Sequence, residues 1–327
     1  MKAVVVKKPG GPGELKIQEI PTPVTREDEI LVKIHATALN RADILQREGK
    51  YPPPAGASNI LGLEFAGEIY QAGQNVNAWA KGEMVFGLLP GGGYAEFAVI
   101  NERMVNRIPA GLNFSEAAAI PEVFLTAYQA LVWHANIQGG ERILIHAGAS
   151  GVGTAAIQIA RQMGAEVFVT ASKEKHDICR SLGATYSIDY KSENFSKQVA
   201  DLTGGAGVDV IIDFIAGPYF QQNLDSLSRD GRLVLLATLG GGKVSEADIR
   251  QILTKRLTII GSTLRSRPVD YQARLNREFI NYAFEKFEKG QLKPVIDKIY
   301  NWKDVDEAHR YMEANKNMGK IILQISD

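Results

Sequence analysis

The chain has 327 residues, 45% of them hydrophobic and 23% charged, with 37 Lys plus Arg set against 37 Asp plus Glu. That length suits two domains that each bury a core, and the balanced charge leaves no bulk positive field for nucleic acid or an anionic membrane. A single cysteine, Cys179, excludes an internal disulfide and a cysteine-built zinc site, and with no stretch approaching the ~20 apolar residues of a membrane span the sequence reads as soluble and cytoplasmic.

In chain order, the first third reads as short strands separated by turns: Lys2–Val6, then the turn 9–13, then Leu15–Ile20 and Glu29–Thr37. In the last of these, alternation places Ile30, Val32 and Ile34 on one face and Lys33 and His35 on the other, so His35 reads as a strand residue and not a ligand. Arg41 and Asp43 read as a local ion pair at a helix start. Gly91-Gly92-Gly93 leads into a strand expected at Tyr94–Val99 with no helix behind it, which makes it a turn.

From about Ser115 the pattern changes to helices alternating with short apolar strands, the mark of a parallel sheet covered on both faces. Strands are expected at Arg142–His146, Glu166–Thr170, Val208–Asp213, Arg232–Ala237 and Leu257–Ser262. The tail carries a helix at Lys303–Ala314 and a last strand at Lys320–Gln324, and is expected to return to the first domain. The domains are therefore 1–120 with 270–327, and 121–269. His134 at a helix end, His146 at a strand tip and Cys179 inside a helix read as structural residues.

The strongest chemical signal is the run Arg142-Ile143-Leu144-Ile145-His146-Ala147-Gly148-Ala149-Ser150-Gly151-Val152-Gly153, followed by an apolar helix from Thr154. Small residues let the backbone turn and approach a pyrophosphate, and the N–H groups of the following helix stabilise its charge. Gly148, Ser150, Gly151, Val152 and Gly153 form that loop, though the spacing is not G-x-G-x-x-G. At the end of the next strand an acidic residue would accept from a ribose 2′-hydroxyl, whereas a 2′-phosphate needs cations. The sequence there is Thr170-Ala171-Ser172-Lys173-Glu174-Lys175, with no carboxylate at the strand tip, so NADPH is the expected cofactor. The competing reading makes the lysines a solvated helix start.

Several segments together resemble the quinone oxidoreductase, or zeta-crystallin-like, branch of the medium-chain dehydrogenase/reductase superfamily. They are Ala38-Leu39-Asn40-Arg41-Ala42-Asp43, Ile60-Leu61-Gly62-Leu63-Glu64-Phe65-Ala66-Gly67, Leu89-Pro90-Gly91-Gly92-Gly93-Tyr94-Ala95-Glu96, Ala118-Ala119-Ile120-Pro121, the glycine loop, and Asn317-Met318-Gly319-Lys320. Within the branch the chain is most similar to stress-inducible quinone oxidoreductases of animals. Ser150 stands where the wider family usually has glycine, able either to hydrogen-bond the cofactor or to stiffen the turn.

The resemblance implies an α/β fold: a GroES-like β catalytic domain made from both chain ends, a doubly wound Rossmann domain between them, and a substrate cleft between the domains. Zinc-dependent relatives carry a cysteine after the third strand and a Gly-His-Glu motif; here those places read Asn40-Arg41-Ala42-Asp43 and Gly62-Leu63-Glu64, so no metal is expected. Carried over by position, Thr126 would contact the nicotinamide carboxamide, Leu239, Gly240 and Leu264 would line the nicotinamide, and Asn317 would reach the cofactor. Tyr190 would lie along the adenosine, and Lys175 would hold the 2′-phosphate; from the residues themselves, Ser172 is available there as a further donor.

At the substrate end the match gives Asn40 and Tyr51 as catalytic candidates. Tyr51 could donate to a carbonyl oxygen or simply pack beside its prolines, and Asn40 could orient the substrate or cap a helix. The implied activity is NADPH-dependent quinone reduction by a homodimer paired through the strand 257–262. The alternatives are an enone or enoyl reductase and, from a different class, an RNA-binding or structural crystallin-like protein; the neutral charge argues against general RNA affinity.

Overall fold

Residues 1–325 are described in the computed structural model. The alternation of the first third resolves into seven strands. β1 (Lys2–Val6) and β2 (Leu15–Glu19) pair antiparallel as a hairpin. β3 (Glu29–Ala38), β4 (Glu64–Ala72), β5 (Met84–Leu88), β6 (Phe97–Asn101) and β7 (Val105–Arg107) form an antiparallel sheet with β3 and β4 at its centre. The short helices α1 (Arg41–Arg47) and α2 (Phe114–Ala118) interrupt and follow these strands. β6 begins at Phe97, later than the expected Tyr94. Gly93 and Tyr94 N–H groups are spent on the Gly62 and Leu61 carbonyls, and Ala95 makes only an isolated bridge to Ala3.

Next come α3 (Pro121–Tyr128) and a π-helical turn, Gln129–His134. Six parallel strands then alternate with helices: β8 (Arg142–Ile145), α4 (Gly151–Gln162), β9 (Glu166–Ala171), α5 (His176–Leu182), β10 (Tyr186–Asp189) and α6 (Phe195–Leu202). After these follow β11 (Val208–Asp213), α7 (Phe220–Ser226), β12 (Leu227–Leu235), α8 (Arg250–Thr254) and β13 (Thr258–Gly261). The sheet order β10-β9-β8-β11-β12-β13 is, counted within this region, 3-2-1-4-5-6, the doubly wound Rossmann order. Its central strands β8, β9 and β11 are buried on both faces, which explains their near-continuous hydrophobicity; Leu144, Phe168, Ile211 and Leu233 are among the core residues. β12 starts at Leu227, five residues before the expected Arg232, and reaches Leu235 with a register shift against β11.

The tail comprises the 20-residue helix α9 (Val269–Glu288), β14 (Ile296–Asn301), α10 (Val305–Glu313) and β15 (Lys320–Gln324). β15 pairs antiparallel with β3, Ile322 opposite Ala38, so the chain end joins the first sheet. Two compact units result: Met1–Leu125 with the residues from Leu264 on, and Thr126–Thr263. Among the described residues no helix is long and apolar enough to cross a membrane.

Candidate functional site

In the nucleotide-type unit, β8 and β11 are neighbours at the point where strand order reverses, the place where open α/β sheets bind ligands. The glycine loop leaves β8 there and turns into α4. Ser150 is the N-cap of α4, its Oγ accepting from the Gly153 N–H at 3.1 Å. This bond stiffens the turn, one of the two roles open to Ser150, and leaves its hydroxyl proton able to donate. Two glycines are fixed by crowding: a Cβ on Gly153 would sit 2.4 Å from the Ala147 carbonyl oxygen, and one on Gly148 would sit 2.7 Å from Val169 Cβ. The first turn of α4 leaves the Gly151 and Val152 N–H groups without intrahelical acceptors, at the positive end of a 12-residue helix. Both residues are half-buried. This donor set fits a dinucleotide pyrophosphate.

Beneath the loop runs a buried chain of hydrogen bonds. His146 joins Thr170 Oγ1 at 2.9 Å to Asn223 Oδ1 at 2.8 Å, and Asn223 Nδ2 donates to Asp213 Oδ2 at 2.8 Å. The chain ties together the ends of β8, β9 and β11. Burial holds the His146 pKa below its ordinary value, so the imidazole is neutral and structural, as its place at a strand tip suggested.

At the end of β9, Ser172 and Lys175 lie in one turn, the Lys175 N–H donating to the Ser172 carbonyl at 2.8 Å. Glu174 lies between the two lysines. Its carboxylate pKa falls to about 2 through its own backbone N–H and the Ser172 hydroxyl, and it pairs with Lys191 Nζ at 3.3 Å. Lys191 follows Tyr190, which is 46% exposed and available for stacking. Thr126 is half-buried in α3, while Leu239 and Gly240 lie in the loop after β12, Leu239 exposed. The structure thus gathers Ser172 and Lys175 in one turn.

In the other unit, Asn40 is the first residue before α1, but its side chain does not spend itself on the helix. Asn40 Nδ2 donates to Glu64 Oε1 at 2.8 Å, and Asn40 Oδ1 accepts from Lys320 Nζ at 2.7 Å. Lys320 also bonds Glu64 Oε1 at 2.7 Å and the Leu39 carbonyl at 2.7 Å. Both ends of the amide are fixed.

The expected Arg41–Asp43 pair does not form. Asp43 is fully buried and accepts from the Asn40 N–H at 2.8 Å, the Gly62 N–H at 2.9 Å and the Tyr94 hydroxyl at 3.3 Å, while Arg41 turns outward to Asn315. The reason is that Asp43 serves as the capping carboxylate of α1 and as an anchor for the loop that leads into β4. Burial raises its pKa to about 6.

Tyr51 is half-buried in the loop after α1, and Arg265 lies over its ring, 5.2 Å from guanidinium carbon to centroid. Burial raises the Tyr51 hydroxyl pKa, and the Arg265 charge works against that. Leu264 is buried beside Arg265 in the chain, and Asn317 Nδ2 donates to the Gly319 carbonyl at 2.8 Å, closing the turn before β15.

Sequence reasoning missed Glu122, Arg265 and the role of Lys320. Glu122 donates its backbone N–H to Glu64 Oε2 at 2.8 Å, and burial, reinforced by the Glu64 charge, raises its carboxyl pKa to about 7. Only the placement of Glu122 directly after Pro121, at the start of a helix, was visible beforehand, and that reads equally well as an ordinary first-turn acid.

Residues 26–110 match the family described as the alcohol dehydrogenase GroES-like domain, and residues 151–280 match that described as zinc-binding dehydrogenase. A human quinone oxidoreductase is 34% identical over 330 positions, covering 99% of this chain and 97% of that protein. Among solved structures, an NAD-dependent alcohol dehydrogenase superposes with a TM-score of 0.89 at 31% identity, covering 100% of each chain. CurK enoyl reductase gives a TM-score of 0.88 at 31% identity over 99% of each chain. With full-length identity at this level and both domain families in order along it, the chain belongs to the medium-chain dehydrogenase/reductase superfamily of nicotinamide-dependent oxidoreductases, in its quinone oxidoreductase branch.

Proposed function

We propose that this protein is an NADPH-dependent, zinc-independent quinone oxidoreductase. One observation carries the cofactor choice: β9 ends at Ala171, Ser172 and Lys175 follow in one turn, and no carboxylate stands at the strand tip to meet a 2′-hydroxyl. In this reading the pyrophosphate lies on Gly151 and Val152 at the start of α4, with Gly148 and Gly153 allowing the backbone approach. Ser172 and Lys175 hold the 2′-phosphate, and Tyr190 flanks the adenosine. Thr126, Leu239, Gly240, Leu264 and Asn317 keep the nicotinamide-end roles that the family resemblance gives them.

The bound nicotinamide would supply hydride, and the chain has to position and polarise the acceptor. Tyr51 offers a hydroxyl to an acceptor carbonyl oxygen, and Asn40, with its amide fixed between Glu64 and Lys320, presents one defined orientation. Zinc independence is supported by the chemistry of those positions. Glu64 is engaged by the Lys320 ammonium, and Asn40 offers an amide in place of a thiolate.

A second reading, reduction of an enone or enoyl thioester, is favoured by Glu122. Carbon protonation requires an acid, and a carboxyl whose pKa is about 7 holds its proton near neutral pH. We further propose a cytoplasmic homodimer paired through β13, which lies at the edge of its sheet near the exposed Ile249 and Leu253.

The test follows absorbance at 340 nm as protein is mixed with NADPH or NADH and then a small ortho-quinone. Quinone-dependent loss with a strong NADPH preference supports the proposal. Turnover only with an enone selects the second reading, and loss of NADH in preference to NADPH overturns the cofactor assignment.

A further inference from the structure

Arg265 is an unusual arginine. The residue is 7% exposed, two of its nitrogens are committed, and the third is not. Nε donates to the Pro90 carbonyl at 2.8 Å and Nη2 to Gln46 Oε1 at 2.7 Å, fixing the plane of the fork from two sides. Nη1 is buried with no hydrogen-bond partner. A guanidinium N–H without an acceptor in a water-poor setting costs stability, and native chains rarely tolerate one without a use. The surroundings narrow that use. The Tyr51 ring lies over the guanidinium, and the carboxyls of Asp43 and Glu122 and the Tyr51 hydroxyl contribute to its electrostatic field. Asp43 already accepts from the Asn40 and Gly62 N–H groups and the Tyr94 hydroxyl, and Nη1 makes no hydrogen bond to it or to Glu122.

We propose that Arg265 is a catalytic residue whose Nη1 donates a hydrogen bond to the carbonyl oxygen of the acceptor, with the Tyr51 ring shifting to admit it. The inference deepens the quinone reductase reading and rests on it. The ligand class is a conjugated carbonyl compound, a quinone or an enone. As hydride arrives, the C–H bond of the reduced nicotinamide breaks, both electrons enter the conjugated system, and a pair settles on the carbonyl oxygen. The product is a phenolate or enolate beside NADP⁺, and water then supplies the proton. A cation already held in place stabilises that oxygen without reorganising. Tyr51 sits in the loop between α1 and β4, outside any helix or strand, where its ring can move without breaking a backbone ladder.

The experiment compares wild type with Arg265→Ala and Arg265→Lys, measuring NADPH affinity by fluorescence and kcat with a small ortho-quinone, with and without low-millimolar guanidinium chloride. The expected result is an unchanged NADPH affinity and a kcat lower by about 100-fold in Arg265→Ala, as for loss of one oxyanion donor. Added guanidinium should restore part of it. Arg265→Lys keeps the charge beside Asp43 and Glu122 and is read if the alanine variant fails to fold; it should still lose about 10-fold, because one ammonium cannot serve Pro90, Gln46 and the acceptor in fork geometry. A kcat within threefold of wild type in the folded variant, a parallel loss of NADPH affinity, or no guanidinium rescue overturns the proposal. If wild type binds NADPH and reduces neither quinone nor enone, the functional reading itself fails; if wild type turns over and the variants match it, only the role of Arg265 fails.

Discussion

Lys320 Nζ lies 2.7 Å from Glu64 Oε1, and the two side chains are 3% and 0% exposed. The pair is completed by Asn40, which donates to the carboxylate and accepts from the ammonium, so a charge pair and an amide form one closed network. Removing one partner from a buried pair leaves an uncompensated charge, at a cost of about 3–5 kcal/mol. Lys320→Met should therefore lower the unfolding free energy by that order, read from urea denaturation. The double variant Lys320→Met, Glu64→Gln should recover part of the loss. A change below about 1 kcal/mol in the single variant would show that the pair is not coupled to stability as its burial implies.

Cofactor preference should respond to the turn after β9. Lys175→Glu should weaken NADPH by about 10-fold or more and leave NADH within a few-fold, because a charge-assisted contact to phosphate is worth about 1.5–3 kcal/mol. Glu174→Gln should act in the opposite sense, since it removes a negative charge and releases Lys191. Titration of NADPH and NADH fluorescence measures both. Equal weakening of the two cofactors by Lys175→Glu would refute the phosphate role.

Ser150 caps α4 through its Oγ. Loss of such a cap costs about 0.5–2 kcal/mol when the replacement is alanine and only a few tenths when it is glycine. Ser150→Ala should destabilise by about 1 kcal/mol while Ser150→Gly stays close to wild type, as measured by denaturant midpoint. Equal stability in all three proteins would be evidence that the hydroxyl acts elsewhere.

Glu122 makes stability depend on pH in a defined direction. Its folded pKa is raised from 4.5 to about 7, so between those values the native state holds a proton that the unfolded chain has released. Stability contributed by this group therefore declines as pH rises from about 4.5 to about 7, and Asp43, raised to about 6, acts in the same sense. Glu122→Gln should be more stable than wild type at pH 8 and indistinguishable from it below pH 4.5. Parallel stability profiles for the two proteins would contradict the shifted carboxyl.

Local signals carried much of the architecture. The ends of β1, β11 and β15 were legible to the residue because each is a short apolar run bounded by turn formers or charge. The glycine loop was legible for the same reason: strand, small residues and helix are contiguous, and backbone geometry there is set by neighbours in sequence. Errors arose where a backbone group found a distant partner. Tyr94 reads as a strand start until its N–H is seen on the Leu61 carbonyl.

By itself the sequence determined the change from an all-β first third to alternating strands and helices, the glycine loop between β8 and α4, and the lysines without a strand-tip carboxylate, because each depends on residues a few positions apart; the strands β4, β5, β7 and β10 were not legible in it. Only the tertiary structure decided which charges meet. Asn40 and Lys320 are 280 positions apart, and Arg265 and Gln46 are 219 apart. Lys320 reaches Asn40 because β15 returns antiparallel to β3 in a single register, Ile322 opposite Ala38. A one-residue slip would turn every side chain of that strand to the opposite face, so the network exists only as a consequence of that pairing.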